Sequence, residues 1–216
     1  MLIGVTGGNS VTATGDKGIA AAIITTPVSI LDDTATNYGM QGFDEVQNFL
    51  TSIDYLVDDG GVITAGTWVD IHMIFLNSEG NTRLGHYDVD WTFEGETLGI
   101  MSNRDGSLEV ASSSEPGVPG TVYPISSFSA RGLENASGPG AGFSSGWDGY
   151  DFLDAYTLRV GMTVTEPGDW IRVVTTAVAP VPEPTTMLLF GSGLIGLAGL
   201  ARRKKRSLKV RQDKFY

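Results

Sequence analysis

The sequence predicts an all-β body, an antiparallel β-sandwich or jelly roll, followed by a Pro-rich linker and one C-terminal transmembrane helix. Apolar and polar residues alternate with a period of two in several body segments, and no body segment carries an apolar helical stripe longer than two turns. Near the C-terminus, a fifteen-residue uncharged run is followed by five cations. The predicted boundaries are 1–178 for the body, 179–184 for the linker, 185–201 for the helix and 202–216 for a basic tail.

The strongest strand signals are Thr67–Leu76 and Leu84–Phe93, each with one apolar face and one polar face. The turn-rich link Asn77–Asn81 between them predicts a hairpin. Glu166–Asp169 predicts a second hairpin between two later strands. The apolar faces consist of Val69, Ile71, Met73 and Phe75 in the first strand and of Tyr87, Val89, Trp91 and Phe93 in the second. The other predicted strands are Ile19–Thr25, Phe49–Val57, Thr97–Met101, Leu108–Val110, Tyr156–Val164 and Trp170–Val178.

Composition and charge exclude several classes of protein. The chain has no cysteine, which excludes a disulfide scaffold, a thiolate zinc site and a cysteine nucleophile. Residues 1–180 carry six basic and 23 acidic residues, a formal charge of −17, whereas residues 181–216 carry eight basic and two acidic residues. A body this acidic repels phosphate backbones, so we expect no nucleic-acid partner.

The C-terminal segment has the features of a short membrane anchor. Thr185–Ala201 has no charge, and seventeen helical residues span about 26 Å, slightly less than a hydrocarbon core of roughly 30 Å. The cations that follow predict that the tail stays in the cytoplasm and that the body lies across the membrane. These stop-transfer residues are Arg202, Arg203, Lys204, Lys205 and Arg206.

Three features follow one another over residues 181–206: the tripeptide Pro182-Glu183-Pro184, the apolar run and the basic cluster. This order resembles the PEP-CTERM sorting signal of exosortase-processed bacterial proteins. The resemblance implies that exosortase recognises Pro182, Glu183 and Pro184, while the apolar run and the cations hold the chain in the inner membrane. It also implies export, a periplasmic body during transient anchoring, and a final location on the cell surface or outside the cell.

Four body phrases resemble exported choice-of-anchor-like β domains, which have no general assigned activity, and we interpret the phrases as fold signatures. Export also calls for an N-terminal leader, but the start of the sequence has no cationic region and its apolar stretch breaks at Thr6-Gly7-Gly8. We therefore expect further residues to precede Met1. The four phrases are Gly42–Asn48, Leu98–Ser102, Arg131–Glu134 and Gly168–Val173.

Motifs that resemble catalytic ones lack their required context. Gly142–Gly146 matches a nucleophile elbow, but its flanks are glycine-rich and both histidines, His72 and His86, lie upstream. Gly191–Gly196 matches a dinucleotide fingerprint but lies inside the predicted membrane span. We therefore predict no catalytic residue and no enzymatic activity.

Two groups of residues are candidate metal sites, for a divalent metal and for calcium. If the first hairpin forms, imidazoles and carboxylates gather on its solvated face, although ordinary solvated polar pairs also explain such a face. A later set of three aspartates could supply oxygen ligands to calcium, although the spacing does not match a calcium loop. The first set is Asp70, His72, His86, Asp88 and Asp90, and the second is Asp148, Asp151 and Asp154.

Three classes of function compete for the body. The first is a non-enzymatic cell-surface or extracellular-matrix protein with a structural or interaction role linked to exopolysaccharide or biofilm. The second is a carbohydrate-binding module, because aromatic side chains can stack on sugars. The third is a carboxylate-based glycoside hydrolase, because the many acids leave possible pairs. The aromatic candidates are Trp68, Trp147, Tyr150 and Trp170.

Overall fold

Strands are the main regular structure of the body, which confirms the predicted all-β class. A computed structural model describes residues 1–31, 37–78, 80–126, 131–134, 147–166 and 168–177, all within one compact unit, Met1–Val178. One α-helix, α1 (Ser107–Ser112), and a 3-10 turn at Asp58–Gly60 accompany the strands in these residues. The strands are β1 (Leu2–Thr6), β2 (Asn9–Thr12), β3 (Gly15–Ala20), β4 (Ala22–Ile23), β5 (Gln41–Leu50), β6 (Tyr55–Leu56), β7 (Val62–Ile63), β8 (Trp68–Leu76), β9 (Leu84–Phe93), β10 (Thr97–Met101), β11 (Gly149–Phe152), β12 (Thr157–Val164) and β13 (Asp169–Thr176).

The long strands form two sheets. The first sheet has the order β11-β12-β9-β2-β3, and β1 also pairs with β9. Strands β1 and β2 follow each other along β9, since β1 pairs with residues 90–93 and β2 with residues 84–85. The second sheet has the order β10-β13-β8-β5-β4 and is antiparallel except that β4 runs parallel to β5. Strands β6 and β7 form a separate pair.

One apolar cluster draws on both sheets and forms the core between them. Because its members come from facing strands, the two sheets pack as a sandwich. The first sheet contributes β9 and β12 residues, and the second contributes β8 and β13 residues. These are Leu84, Val89, Trp91, Phe93, Leu158, Val160, Met162 and Val164 on one side, and Ile74, Leu76, Ile171 and Val173 on the other.

The second sheet is also buried on its outer face, which corrects the predicted orientation of β8. An outer layer of β6, β7, α1 and nearby loops covers Val69 and Ile71 in one cluster and Met73 and Phe75 in another. The opposite face of β8 points into the sandwich, where the His72 ring lies 5.0 Å from the ring of Phe93. The alternation is therefore real, but from Val69 onward neither face of this strand is solvated.

Both predicted hairpins are wrong. Strands β8 and β9 lie in opposite sheets, and so do β12 and β13. Each connection crosses between the sheets, which in sandwiches lie about 10 Å apart. Turn residues such as Gly80 and Gly168 occur in connections between two sheets as well as in hairpins. The turn signal in the sequence therefore does not distinguish the two kinds of connection.

A bulge in β9 also changes which residues share a face. Asp88 has a left-handed φ of 53°, and the register with β12 shifts between Val160 and Met162. As a result Leu84 and His86 face the core before the bulge, and Val89 and Trp91 face it afterwards. His86 therefore does not share a face with Asp90.

The remaining strand predictions have mixed outcomes. Thr97–Met101 is confirmed as β10, and the two C-terminal predicted strands correspond to β12 and β13. Phe49–Val57 is wrong as one strand, since β5 ends at Leu50 and β6 begins at Tyr55. Leu108–Val110 is wrong because it lies in α1, where the Asn103 and Asp105 side chains accept hydrogen bonds from the first helical amides.

A buried ion pair holds the outer layer to the second sheet. Arg172 of β13 donates to Glu45 of β5 from Nε at 2.6 Å and from Nη2 at 2.9 Å, and both side chains are fully buried. The same guanidinium donates to α1 through the Glu109 carbonyl at 2.7 Å and the Ser112 hydroxyl at 2.6 Å. Since these residues lie on two strands and the helix, the pair joins three elements.

In the described residues, no helix is long and apolar enough to cross a membrane. The predicted span, residues 185–201, lies outside them, as do the linker and the basic tail.

Candidate functional site

A polar cleft of about 290 Å³ lies where the Asp58–Gly60 turn meets the residues after β10 and the start of β11. This volume is close to the lower end of the roughly 300 to 1,000 Å³ typical of ligand pockets. The backbone brings the lining together because Leu133 donates its amide to the Ser102 carbonyl at 2.9 Å. Gly132 is required in this segment, since a side chain there would collide with the Asn103 carbonyl. The lining residues are Asp58, Asp59, Ser102, Asn103, Leu133, Gly149 and Tyr150.

Asp58 is the organising carboxylate of this cleft. Its Oδ1 accepts the Ser102 amide at 3.0 Å, and its Oδ2 accepts the Ser102 hydroxyl at 2.5 Å and the Tyr150 hydroxyl at 3.1 Å. Burial and the adjacent Asp58 carboxylate raise the pKa of Tyr150, so the phenol stays protonated and donates. Asp59 beside it is exposed and has a left-handed φ of 58°, an uncommon conformation for a residue other than glycine.

Three carboxyl groups form a cluster beside the cleft residues Leu133 and Gly149: Asp148 and Asp169 are buried and Glu134 is half-buried. The side chain of Asp148 interacts electrostatically with those of Glu134 and Asp169. The backbone supports this contact, because the Glu134 amide donates to Asp148 Oδ2 at 2.8 Å. The three residues thereby join the 131–134 segment to the start of β13.

Burial dominates the electrostatics of this carboxyl cluster. It raises the pKa of Glu134 to about 7, raises the pKa of Asp148, and raises that of Asp169 well above its usual value. Neighbouring carboxylates add to the shifts of Glu134 and Asp169, because like charges disfavour ionisation. Glu134 Oε1 and Asp169 Oδ2 are buried with no hydrogen-bond partner among the described residues. The cluster can therefore hold protons near neutral pH.

The two histidines are not on a common solvated face, so the geometry behind the first metal hypothesis is wrong. His72 is fully buried, with Nδ1 2.7 Å from Asp44 Oδ1 and Nε2 3.1 Å from Thr175 Oγ1. His86 is also fully buried, with Nδ1 accepting the Met40 amide at 2.9 Å and Nε2 donating to the Gly8 carbonyl at 2.8 Å. Burial lowers the pKa of both imidazoles.

The aspartates of that hypothesis are equally separate. Asp70 is buried and accepts the Asn48 amide at 2.7 Å. Asp90 accepts two hydrogen bonds from Arg159, at 2.6 Å and 2.9 Å, and Asp88 occupies the bulge. These carboxylates have distinct partners in different parts of the fold.

The calcium set Asp148, Asp151 and Asp154 also has no common centre. Asp148 belongs to the carboxyl cluster, Asp151 is exposed opposite Arg159 in the register of β11 and β12, and Asp154 accepts the Tyr156 amide at 2.7 Å. Within the part of the chain that the structure describes, no group of three or more His, Asp or Glu side chains is placed to hold a metal ion.

The four aromatic candidates for sugar stacking divide into two pairs. Trp147 and Trp170 are buried at 1% and 2% exposure, so they belong to the packing of the body. Trp68 is 58% exposed, and Tyr150 lines the polar cleft. Tyr150 and Trp68 are therefore the pair with accessible rings.

Sequence reasoning missed Asp58, Glu134 and Asp169 as residues of interest. Asp169 carried a signal, since it directly precedes Trp170–Val174, a run that is apolar except for Arg172. A carboxylate at such a position is expected to find a hydrogen-bonding partner. Asp58 had no comparable signal, because Asp58-Asp59-Gly60 is an ordinary turn sequence.

Two sets of sequence motifs lie outside the described residues. One is the sorting segment, with Pro182, Glu183 and Pro184 and the cations Arg202, Arg203, Lys204, Lys205 and Arg206. The other consists of the motifs that resemble catalytic ones, at Gly142–Gly146 and Gly191–Gly196.

Comparison with known proteins gives one match. No curated protein and no solved structure matches the chain. A family model, the PEP-CTERM protein-sorting motif, matches residues 180–206. This is the segment whose tripeptide, apolar run and basic cluster carry the resemblance found in the sequence. The motif implies export, association with a membrane and processing by an exosortase, and the chain thus carries a PEP-CTERM protein-sorting motif.

Proposed function

We propose that the chain crosses the inner membrane with its body in the periplasm, is held by residues 185–201, and is cut beside Pro182-Glu183-Pro184. The sorting-motif match at residues 180–206 carries this proposal. The charge distribution supports it, because the five consecutive cations after Ala201 favour the cytoplasmic side. Cleavage then releases an acidic β-sandwich to the cell surface or the extracellular matrix.

We further propose that the released body has no turnover chemistry and acts in the matrix by presenting a binding surface, in contact with exopolysaccharide. The internal use of its polar groups supports this role. Both nitrogens of each histidine are hydrogen-bonded inside the body, and the guanidinium of Arg172 is fully buried. These three side chains, which could otherwise serve as a base or an electrophile, are thus committed to the fold.

The processing step is tested in a native host that carries an exosortase, with Glu183→Ala compared with the wild-type chain. We expect the variant to remain full length in the membrane fraction, as does the wild-type chain after exosortase deletion. Glu166→Ala is the matched control, since Glu166 is an exposed acid at the end of β12, and this variant should be processed normally. An intact C-terminus on extracellular wild-type protein, shown by mass spectrometry, would refute the proposal.

The Asp58 cleft favours a carbohydrate-binding body as the second candidate function. A tyrosine ring, two carboxylates and a serine hydroxyl line it, which suits hydroxyl-rich ligands. Glycan-array binding should be lost in Asp59→Ala and Tyr150→Ala. Trp68→Ala, at the exposed ring outside this lining, distinguishes cleft binding from stacking elsewhere. An array on which the wild-type protein binds no glycan would exclude this candidate.

A further inference from the structure

A second cleft combines two of the few basic residues of the body. It has a volume of about 300 Å³ and lies at the tip of the β2–β3 hairpin. Lys17 comes from β3 and Arg83 directly precedes β9. They meet because Thr12 of β2 pairs with Leu84 of β9. The lining residues are Thr12, Ala13, Thr14, Asp16, Lys17, Thr82 and Arg83.

The charge at this cleft is opposite to that of its surroundings. The lining carries two cations and one carboxylate, whereas residues 1–180 have a formal charge of −17. Two cations that are 66 positions apart in sequence thus line one cleft of an acidic protein.

Local contacts position the charged groups of this cleft. Lys17 Nζ lies 4.3 Å from the centroid of the Tyr38 ring, a cation–π distance. Asp16 is engaged by its own hairpin, since Oδ1 accepts the Gly18 amide at 2.6 Å and Oδ2 accepts Asn9 Nδ2 at 3.2 Å. The opposing carboxylate is thereby occupied by neutral donors, and it does not form an ion pair with Lys17 in the described contacts.

We propose that this cleft binds the carboxylate of an acidic sugar. A lysine and an arginine provide charge-assisted donors to a carboxylate. Thr12, Thr14 and Thr82 provide hydroxyl groups to the same lining. The Thr12 and Thr14 hydroxyls are hydrogen-bonded to each other at 3.0 Å, and each keeps a lone pair that can accept from a hydroxyl of a sugar ring. The net charge of the body disfavours a dense polyanion, so the ligand is a single sugar acid or a sparsely charged polysaccharide.

This proposal names the chemical group of the polysaccharide that the body would contact, and it rests on that part of the proposed function. The cleft is separate from the Asp58 cleft. The full chain in a neutral detergent is titrated with D-glucuronate, D-glucose and acetate, and binding is followed by saturation-transfer NMR. We expect glucuronate to bind at least fivefold more tightly than either comparison ligand. A glucuronate-containing oligosaccharide then distinguishes a polymer site from a site for the free sugar acid.

Variants of the charged residues test the assignment to this cleft. Lys17→Ala and Arg83→Ala should each weaken glucuronate binding about tenfold, the effect of one charge-assisted hydrogen bond. Asp16→Asn should tighten binding two- to threefold, which a purely structural role of the hairpin would not produce. Arg104→Ala, at an exposed arginine outside this lining, is the control and should leave the affinity unchanged.

Three results would overturn the inference. They are equal affinity for glucuronate and glucose, equal affinity for glucuronate and acetate, and unchanged affinity in both cation variants. Thermal unfolding of each variant shows whether a lost signal comes from loss of the fold, and Arg83→Lys then provides a milder substitution. Because binding is measured on purified protein, failed sorting in cells would contradict the export proposal and leave this result unaffected.

Discussion

The buried pair of Arg172 and Glu45 gives the sharpest test of how the body is held together. Replacing Arg172 with alanine removes two hydrogen bonds to Glu45 and the links to the Glu109 carbonyl and the Ser112 and Ser113 hydroxyls. It leaves the Glu45 carboxylate, whose side chain is fully buried, without its counter-ion. Breaking a buried pair in this way costs about 3–5 kcal/mol.

This loss is large compared with the total stability of about 5–15 kcal/mol that is usual for a folded domain. For a domain of this size, about 2–4 °C of melting temperature are lost per kcal/mol, so Arg172→Ala should lower the Tm by about 6–20 °C. Urea denaturation of the intact chain in a neutral detergent measures the effect. Fluorescence of the buried Trp91 and Trp170 reports unfolding.

Two further variants make this prediction refutable. Arg159→Ala breaks a pair with Asp90 whose side chains are 33% and 23% exposed, and it should cost no more than about 1 kcal/mol. The double variant Arg172→Leu/Glu45→Leu removes both buried charges and should recover most of the loss. If Arg172→Ala costs no more than Arg159→Ala, the pair does not hold the outer layer to the sheet.

Three other predictions concern the carboxyl cluster, the membrane topology and the body expressed by itself. Burial raises the pKa of Glu134 to about 7, so its contribution to stability is complete below about pH 4.5 and is lost as the pH rises through 7. Glu134→Gln, which imitates the protonated form, should flatten this slope in urea denaturation at pH 4.5–7.5, and an unchanged slope would refute the assignment. Alkaline phosphatase fused after Pro180, behind a supplied leader, should be active, whereas a stable inactive fusion would reverse the topology. Residues 1–178 expressed alone should be soluble, give a β-type circular dichroism spectrum and lack activity on ester, peptide and glycan panels, and turnover abolished by one serine or carboxylate substitution would contradict this.

The sequence predicted the strands well where local pattern decides them, as in Leu84–Phe93 and Thr97–Met101. It could not predict which strands share a sheet, because turn residues permit both a hairpin and a crossing between sheets. It also could not show the bulge at Asp88, since one residue with a left-handed φ changes the face of every residue that follows. The geometry behind the first metal hypothesis is wrong for these two reasons, because it required an unbroken hairpin.

The candidate clefts could not be predicted from the sequence, for a different reason. Asp58, Ser102 and Tyr150 meet from segments 44 and 48 positions apart, and Lys17 and Arg83 meet from segments 66 apart. No local sequence pattern predicts that these residues line one cleft, because this depends on the order of the strands in the sheets. The sorting segment is the opposite case, because its tripeptide, apolar run and cations follow one another directly in the chain.

The body has no cysteine, so it cannot use the disulfide bonds that many exported domains use. Side-chain hydrogen bonds instead connect segments that are far apart in the sequence. Arg172 and Glu45 are 127 residues apart, and His72 is linked to Asp44 and to Thr175, at separations of 28 and 103 residues. Unlike disulfides, these links exist only in the folded state, so they do not restrict the unfolded chain. These links therefore form only when the sandwich and the outer layer assemble.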